Sequence, residues 1–213
     1  MKNIMIDYSR DRVLTTILPY IKDKEVLDLG CVEHALENKN KKRIWVHDFL
    51  RAHARHVVGI DILEKDIMLL KKQGYDVYYK SAETFTFNKK FDIIFAGELI
   101  EHLSNPGLFL KQSKRHLKKD GILVLTTPNA FNLRRVLECS LLYTNDPGVN
   151  NEHVCWYSPT VIKELLSRYN FHIKSISWVK YPLLNPSITH QLINLGAKIL
   201  GSKFKETMIV IAK

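Results

Sequence analysis

The sequence predicts an α/β fold, a doubly wound and mostly parallel sheet with helices on both of its faces. Short apolar runs alternate along the chain with stretches whose apolar residues recur every three or four positions. Such alternation is typical of parallel strands, because a crossover, usually a helix, must join each strand to the next. Three apolar runs, 26–30, 57–61 and 91–97, contain or end in glycine and aspartate. Residues of this kind at the carboxyl ends of strands indicate a ligand site at one edge of the sheet.

The predicted elements run in order through the chain. A first helix is predicted over 8–21, where apolar residues recur at helical spacing. The strand signals lie at 25–29, 56–60, 76–80, 91–96, 121–126, 171–180 and 207–212. Further helix signals lie near 45–55, 64–73, 106–118, 131–142 and 158–169. Asn105-Pro106 and Ser158-Pro159 are predicted to be the N-cap and first residues of two helices, because proline suits the first helical position.

Length and composition predict a single domain over 1–213. A chain of this size can bury a substantial core, and 46% hydrophobic with 25% charged residues is ordinary for a globular protein. No apolar run approaches the roughly 18 residues of a transmembrane segment, and charged residues near the N-terminus argue against a secretory signal. The three cysteines, Cys31, Cys139 and Cys155, lack metal-binding spacing and favour a reduced, cytoplasmic protein.

The net charge of +10 bears on the choice of partner. A basic field could attract anionic substrates, nucleic acid or a membrane surface. The lysines, however, are spread over predicted helix faces, and the densest run, KNKKR at 39–43, contains no aromatic residue. A solvated surface is the favoured interpretation, so nucleic acid is an alternative partner that is not favoured.

Four segments carry a resemblance to a known family. They are Asp28-Leu29-Gly30-Cys31, Gly59-Ile60-Asp61, FDIIFAGELIEHL at 91–103 and DGILVLTTPN at 120–129. In this order they resemble the class I S-adenosylmethionine-dependent methyltransferases, and the resemblance extends from about Leu14 to Lys213. It implies a Rossmann-like sheet of seven strands, the last antiparallel, and S-adenosyl-L-methionine as cofactor.

The resemblance also implies roles for residues at the strand ends. Asp28 would orient the methionine amino group, Gly30 would let the backbone approach the cofactor, and Asp61 would accept the ribose hydroxyls. A turn or helix-cap role is the alternative for both aspartates. The other residues expected to contact the cofactor are Cys31, His34, Ile62, Ser81, Ala82, Glu83 and Gly97.

The cofactor region departs from the family pattern in three places. The loop GCVEHALEN lacks the further glycines that usually follow Gly30. Asp61 lies 31 residues after Gly30, a longer spacing than in a tight dinucleotide-binding unit, and His34 and His47 could line the methionine end or lie on the surface. Ser81 stands where the family often has an aspartate that binds the adenine amino group.

The acceptor half of the site is predicted just after the fourth strand. Glu98, Glu101 and His102 form an E-x-x-E-H pattern, and on a helix all three would share one face. An alcohol or phenol acceptor must lose a proton, so His102 or His153 is a candidate base, with Glu98 assisting. A packing or pocket-shaping role is the alternative for these residues.

A divalent cation is a second interpretation of the same residues. The E-x-x-E-H pattern resembles that of ubiquinone-biosynthesis O-methyltransferases and small-RNA 2′-O-methyltransferases, in which the matching residues ligate a metal. The implied ligands are Glu98, Glu101, His102 and His153, and the candidate cations are Mg²⁺, Mn²⁺ and Zn²⁺. Many related enzymes with an E-H-L sequence at this place act without metal.

Three further features leave alternatives open. Residues 181–203 are predicted to form a helical insert, which could cover the core, close as a lid over the acceptor or touch a membrane. Trp156 and Tyr157 could stack on a ring-bearing acceptor or belong to the core. Asn129 could orient a substrate hydroxyl or cap the helix that starts near Phe131.

The sequence therefore favours an S-adenosylmethionine-dependent methyltransferase that methylates an oxygen of a small molecule, such as a sugar, a phenol or a quinone precursor. An RNA 2′-O-methyltransferase with a divalent metal is one alternative. A non-catalytic relative that binds the cofactor is another. A nicotinamide oxidoreductase is a weaker rival, because the later glycines of its fingerprint are missing.

Overall fold

The computed structural model describes residues 12–32, 45–141, 150–179, 195–196 and 199–213. Seven strands form one sheet in the order β3-β2-β1-β4-β5-β7-β6. The strands are β1 (Glu25–Leu29), β2 (His56–Asp61), β3 (Val77–Tyr79), β4 (Phe91–Gly97), β5 (Leu117–Pro128), β6 (Ile173–Val179) and β7 (Thr207–Ala212). The helices of the described ranges are α1 (Arg12–Ile21), α2 (Val46–His53), α3 (Glu64–Lys72), α4 (Pro106–His116), α5 (Leu133–Leu141) and α6 (Pro159–Arg168).

The strand directions confirm the predicted fold. Strands β1 to β5 pair in parallel, whereas β7 runs antiparallel to both of its neighbours, β5 and β6. The strand order turns back between β1 and β4, which is the switch point where open α/β sheets bind ligands. The seven-stranded sheet with an antiparallel last strand is therefore confirmed.

Burial explains why the strands form where they do. Alternate residues of β1 enter different apolar clusters, Leu27 and Leu29 on one face of the sheet and Val26 on the other. The first cluster includes residues of α4 and α6, and the second includes residues of α1 and α2. All six residues of β7 are buried, as expected of a strand covered on both faces.

Element boundaries differ from the predictions in a few places. β5 begins at Leu117, four residues before the predicted start, because Leu117 pairs with Phe91 ahead of an irregularity in the β4–β5 register. Ser158 caps α6, its hydroxyl oxygen accepting a hydrogen bond from the backbone N–H of Val161 (3.2 Å). Asn105 does precede Pro106 at the start of α4, but its side chain makes no capping hydrogen bond.

Three predictions on domain organisation stay predictions. Most of the segment 181–203 lies outside the described residues, and helix is described there at 195–196 and 199–200. The helical insert, its lid function and the single domain over 1–213 are not tested by this part of the chain. In the described ranges, no helix is both long enough and apolar enough to span a lipid bilayer.

Gly59 of β2 allows the helix α2 to approach the sheet closely. A Cβ atom at Gly59 would lie 2.7 Å from Sγ of Cys31, 2.8 Å from Cε1 of His47 and 2.9 Å from Cγ1 of Val77. Cβ atoms in proteins essentially never approach other heavy atoms this closely. Only glycine fits between these three side chains without displacing them.

We expect Gly59→Ala to lower the free energy of unfolding by about 1–3 kcal/mol, the usual cost of overpacking a core. Urea denaturation followed by circular dichroism would measure it. Met68→Ala, on the exposed side of α3, is the control and should change stability by less than about 0.5 kcal/mol. Equal stability of Gly59→Ala and the wild type would contradict the packing described here.

Candidate active site

The loop after β1 is tied to the neighbouring strand β2. Gly30 has a φ of +77°, a left-handed conformation that favours glycine. Its N–H donates a hydrogen bond to the carbonyl of Ile60 (2.9 Å), and the N–H of Cys31 donates to the same carbonyl (3.1 Å). The chain therefore turns sharply at the carboxyl end of β1 and stays close to the end of β2.

Asp61 completes this connection at the end of β2. Its Oδ2 accepts a hydrogen bond from the N–H of Val32 (3.0 Å), and its Oδ1 accepts one from the N–H of Leu63 (3.1 Å). Burial raises the pKa of Asp61, the backbone donors oppose this rise, and the nearby charge of Asp28 adds to it. A carboxylate has about four acceptor positions, so these two bonds leave capacity for a ligand.

Asp28 of β1 forms a buried pair with a histidine from α2. Its Oδ2 lies 2.8 Å from Nδ1 of His47, and both side chains are almost fully buried. The sequence left open whether His47 lies on the surface or near the methionine end. It is buried beside the acid that the family resemblance assigns to that end.

The loop after β3 carries three of the other predicted cofactor residues. Ser81 Oγ accepts a hydrogen bond from the N–H of Glu83 (3.2 Å), and Ala82 between them is buried. Glu83 Oε1 accepts a hydrogen bond from the N–H of Asn105 (2.7 Å), which connects this loop to the start of α4. The loop is therefore held against the start of α4.

The remaining predicted cofactor residues differ in their surroundings. Cys31 is buried, and its carbonyl accepts a hydrogen bond from Nε1 of Trp45 (2.7 Å). Ile62 is 65% exposed just beyond β2, and Gly97 ends β4. His34 lies outside the described residues.

The chain leaves β4 through a strained turn at Glu98. Glu98 has a φ of +48°, uncommon for a residue other than glycine, and its N–H donates to both the carbonyl (2.9 Å) and the hydroxyl (3.0 Å) of Thr126. A short 3-10 turn follows at Ile100–His102. The condition for a shared helical face of Glu98, Glu101 and His102 is therefore not met, because the backbone at Glu98 is left-handed and the turn begins two residues later.

Glu101 is the buried centre of this region. Its Oε2 accepts a hydrogen bond from the hydroxyl of Thr127 (3.0 Å). Its backbone carbonyl accepts hydrogen bonds from the N–H groups of Val154 (2.9 Å) and Cys155 (3.3 Å). These contacts fix the segment before α6 against the turn that follows β4.

The surroundings of Glu101 make its ionisation unfavourable. Burial, followed by the nearby charge of Glu98, raises the pKa of Glu101 to about 8. Near neutral pH this carboxyl group is therefore mostly protonated unless a cation replaces the proton. Strongly shifted carboxyl groups in a cleft are typical of functional sites.

Two histidines face each other beside Glu101. The rings of His102 and His153 are perpendicular, with their centroids 4.6 Å apart. One ligand atom from each of Glu101, His102 and His153 lies within 4.8 Å of the others. Burial, with the charges of His102 and Arg135, lowers the pKa of His153, so this imidazole is neutral near pH 7 and able to accept a proton or bind a metal.

Among the described residues, three of the four predicted metal ligands, Glu101, His102 and His153, come together. Glu98 is not part of this group. Glu98 is near enough to influence it, since its charge helps raise the pKa of Glu101.

The remaining predicted acceptor residues take different positions. Tyr157 is buried, whereas Trp156 is 36% exposed beneath the guanidinium of Arg135, which lies 3.7 Å from its ring centroid. Burial raises the pKa of Tyr157. Trp156 therefore remains a candidate for contact with an acceptor, and Tyr157 is a core residue.

The buried side chain of Asn129 holds backbone groups. Its Oδ1 accepts a hydrogen bond from the N–H of Phe131 (3.0 Å). Its Nδ2 donates to the carbonyls of Lys203 (2.7 Å) and Lys205 (2.8 Å). The capping interpretation does not fit, because α5 begins at Leu133 and Asn132 Oδ1 accepts the hydrogen bond from the N–H of Arg135 in its first turn (3.0 Å). Asn129 instead closes a short turn before the helix and anchors the approach to β7.

Comparison with known proteins now identifies the family. Residues 5–176 match the family model described as a methyltransferase domain. This chain belongs to the class I S-adenosylmethionine-dependent methyltransferases. The predicted dependence on S-adenosyl-L-methionine is therefore supported by family membership.

Two curated relatives and one solved structure show how similar this methyltransferase is to known proteins. It is 34% identical over 115 residues to a ubiquinone biosynthesis O-methyltransferase of Pelagibacter ubique, covering 51% of this chain and 44% of that protein. It is 23% identical over 189 residues to the protein of the same name from Rickettsia canadensis, covering 84% and 75%. A SAM-dependent methyltransferase from Archaeoglobus fulgidus shares the fold, with a TM-score of 0.61, 19% identity and coverage of 96% and 94%.

Sequence reasoning missed several contributors to the methyltransferase site. Thr127 lies in the segment DGILVLTTPN, just past the predicted strand, and nothing in that segment marks it as the donor to Glu101. Arg135 looked like an ordinary residue of an amphipathic helix, yet it stacks on Trp156 and helps lower the pKa of His153. The pairing of His47 with Asp28 joins residues 19 positions apart, and local patterns carry no signal for it.

The raised pKa of Glu101 predicts how stability depends on pH. The folded chain holds a proton at Glu101 up to about pH 8, whereas a glutamate ordinarily ionises near 4.5, so stability should fall as pH rises between these values. Relative to Glu101→Gln, we expect the wild type to lose up to about 3 °C in Tm per pH unit there. Thermal denaturation at a series of pH values would measure this difference.

Glu164→Gln, at an exposed carboxylate of α6, is the matched control and should show no such trend against the wild type. Parallel Tm curves for the wild type and Glu101→Gln across this range would mean that Glu101 is not held protonated.

Proposed function

We propose that this methyltransferase transfers the methyl group of S-adenosylmethionine to a hydroxyl oxygen of a small molecule. The observation that best supports this proposal is the grouping of Glu101, His102 and His153 within 4.8 Å, at the sheet edge that also carries Asp28 and Asp61. A hydroxyl acceptor must lose a proton during transfer, and this group offers imidazoles suited to accept it.

The cofactor is proposed to bind across the ends of β1 and β2. Gly30 would let the backbone approach it, and Asp61 would accept the ribose hydroxyls with the acceptor capacity that Val32 and Leu63 leave. S-adenosylmethionine carries a positive ammonium and a positive sulfonium. Asp28, close enough to Asp61 to influence its pKa, would place negative charge near the ammonium.

Methyl transfer from a sulfonium is an in-line displacement, so the protein must chiefly position the acceptor and take up its proton. His153 is the proposed base, because its lowered pKa keeps the imidazole neutral near pH 7. His102 lies against it and would orient it or share the proton. Glu98 would supply negative charge that stabilises the protonated imidazole, whereas Glu101 is mostly protonated near neutral pH and would not.

The same residues fit a divalent cation. Glu101, His102 and His153 offer one carboxylate oxygen and two imidazole nitrogens, a set that suits Zn²⁺ or Mn²⁺ better than Mg²⁺, which prefers oxygen ligands. A bound cation would act as a Lewis acid that lowers the pKa of an acceptor hydroxyl. Neutral His153 and the buried Glu101 would hold it in place.

A phenol or quinone precursor is the proposed acceptor class. The two relatives described above are named for O-methylation in ubiquinone biosynthesis. Partly exposed Trp156, stacked beneath Arg135 and beside His153, offers a flat surface for a ring. Neither the RNA 2′-O-methyltransferase nor the non-catalytic alternative is favoured by these relatives.

The cofactor site can be tested by isothermal titration with S-adenosylhomocysteine. We expect Asp61→Asn to weaken binding about tenfold or more, because hydrogen bonds to a charged acceptor contribute more than those to a neutral one. Asp66→Asn, in the first turn of α3, is the matched control and should bind like the wild type. Undiminished binding by Asp61→Asn would remove Asp61 from the site.

The catalytic role of His153 can be tested with radiolabelled S-adenosylmethionine and a panel of catechols and hydroxyquinols. We expect His153→Ala to lower kcat at least about 100-fold, the usual contribution of a general base, without changing cofactor affinity. His172→Ala, at an exposed histidine, is the control and should keep wild-type turnover.

Turnover by His153→Ala at the wild-type rate would refute this assignment. Repeating the assay with EDTA and with added Zn²⁺ or Mn²⁺ separates the two mechanisms. Activity that survives EDTA supports the base alone, and activity restored by one cation in the wild type but not in Glu101→Gln supports the metal.

A further inference from the structure

Helix α2 places a histidine in the interior of the methyltransferase. His47 is fully buried between two aromatic rings, 5.3 Å from the ring centroid of Trp45 and 5.9 Å from that of Tyr75. Gly59 of β2 also packs against the imidazole, since a Cβ atom at that residue would lie 2.8 Å from Cε1 of His47. The surrounding side chains therefore fix the plane and position of the imidazole.

Only one of the two ring nitrogens of His47 has a hydrogen-bond partner among the described residues. Nδ1 lies 2.8 Å from Oδ2 of Asp28, whereas Nε2 is buried with no hydrogen-bond partner among the described residues. A buried nitrogen without a partner costs stability, and a buried carboxylate carries its own cost of desolvation. Apolar side chains of similar size would fill the space without either cost, so packing alone does not account for the pair.

The position of Asp28 places the pair at the proposed cofactor site. Asp28 lies in the fourth position of the five-residue β1, so its carboxylate stands next to Leu29 and the turn at Gly30. Register places Asp28 opposite Gly59 of β2 and Phe95 of β4. The hydrogen bond from His47 engages Oδ2 and leaves Oδ1 as an acceptor at the proposed cofactor site.

We propose that His47 is a positioning residue that holds the Asp28 carboxylate in the orientation needed to accept a hydrogen bond from the α-ammonium group of S-adenosylmethionine. The inference rests on the proposed function, since it assumes that the cofactor's amino-acid tail lies at Asp28. It assigns to α2 a part in recognition of that tail, through a residue that does not touch the cofactor.

Two substitutions separate positioning from packing. The asparagine side chain carries an amide nitrogen at the same distance from the backbone as Nδ1 of histidine, so His47→Asn keeps a donor for Asp28 but loses the ring. His47→Phe keeps a ring between Trp45 and Tyr75 but loses the donor. If His47 only fills space, His47→Phe should resemble the wild type and His47→Asn should be impaired.

Two probes separate the tail from the rest of the cofactor. S-adenosylhomocysteine carries the amino-acid tail, whereas 5′-methylthioadenosine lacks it and keeps the adenosine. We expect His47→Phe to bind S-adenosylhomocysteine about tenfold more weakly, the lower range for a hydrogen bond to a charged group, and methylthioadenosine within about twofold of the wild type. His47→Asn should recover most of the lost affinity.

Isothermal titration of the full chain, with circular dichroism to check folding, would give these affinities. Wild-type affinity of His47→Phe for S-adenosylhomocysteine, or an equal loss for both probes, would overturn the inference. The same holds if His47→Asn binds more weakly than His47→Phe. Failure of the wild type to bind either probe would instead refute the proposed cofactor site.

Discussion

The parallel pairing of β1 with both β2 and β4 is the constraint on which the rest of the site depends. Leu29 lies opposite Ile60 on one side and opposite Ala96 on the other. The residues that follow, Gly30, Asp61 and Gly97, therefore leave the sheet at the same level. Because this register also places the apolar side chains of all three strands in their clusters, a shift of one residue would move each side chain of β1 to the opposite face of the sheet and would separate the functional residues.

The sequence predicted these strand ends because glycine and aspartate stand directly after buried apolar runs. It could not predict the arrangement of Glu98, Glu101 and His102, because a helical spacing rule was applied to a segment that starts in a left-handed conformation. The approach of His153 to His102 and of His47 to Asp28 depends on tertiary packing between distant elements. Local patterns record which side chains are available, whereas the sheet decides which of them meet.

The overall charge of the protein and the charge at its candidate site have opposite signs. The chain carries a net charge of +10, yet Asp28, Asp61 and Glu101 lie buried or half-buried at a single edge of the sheet. Burial opposes the ionisation of Asp61 and Glu101, and nearby carboxylates add to that effect. A cationic ligand at this edge would relieve both penalties, so the site is suited to a positively charged cofactor even though the protein as a whole is basic.

The last two strands bear on how this scaffold can change. Val179, at the end of β6, pairs directly with Thr207, at the start of β7, and Asn129 fixes the carbonyls of Lys203 and Lys205 just before that pair. The segment between the strands thus leaves and re-enters the sheet at adjoining points. Closing a loop between fixed neighbours depends only weakly on its length. Changes in the length of this segment therefore cost the sheet little, and the cofactor-binding ends of its strands can keep their register while the segment varies.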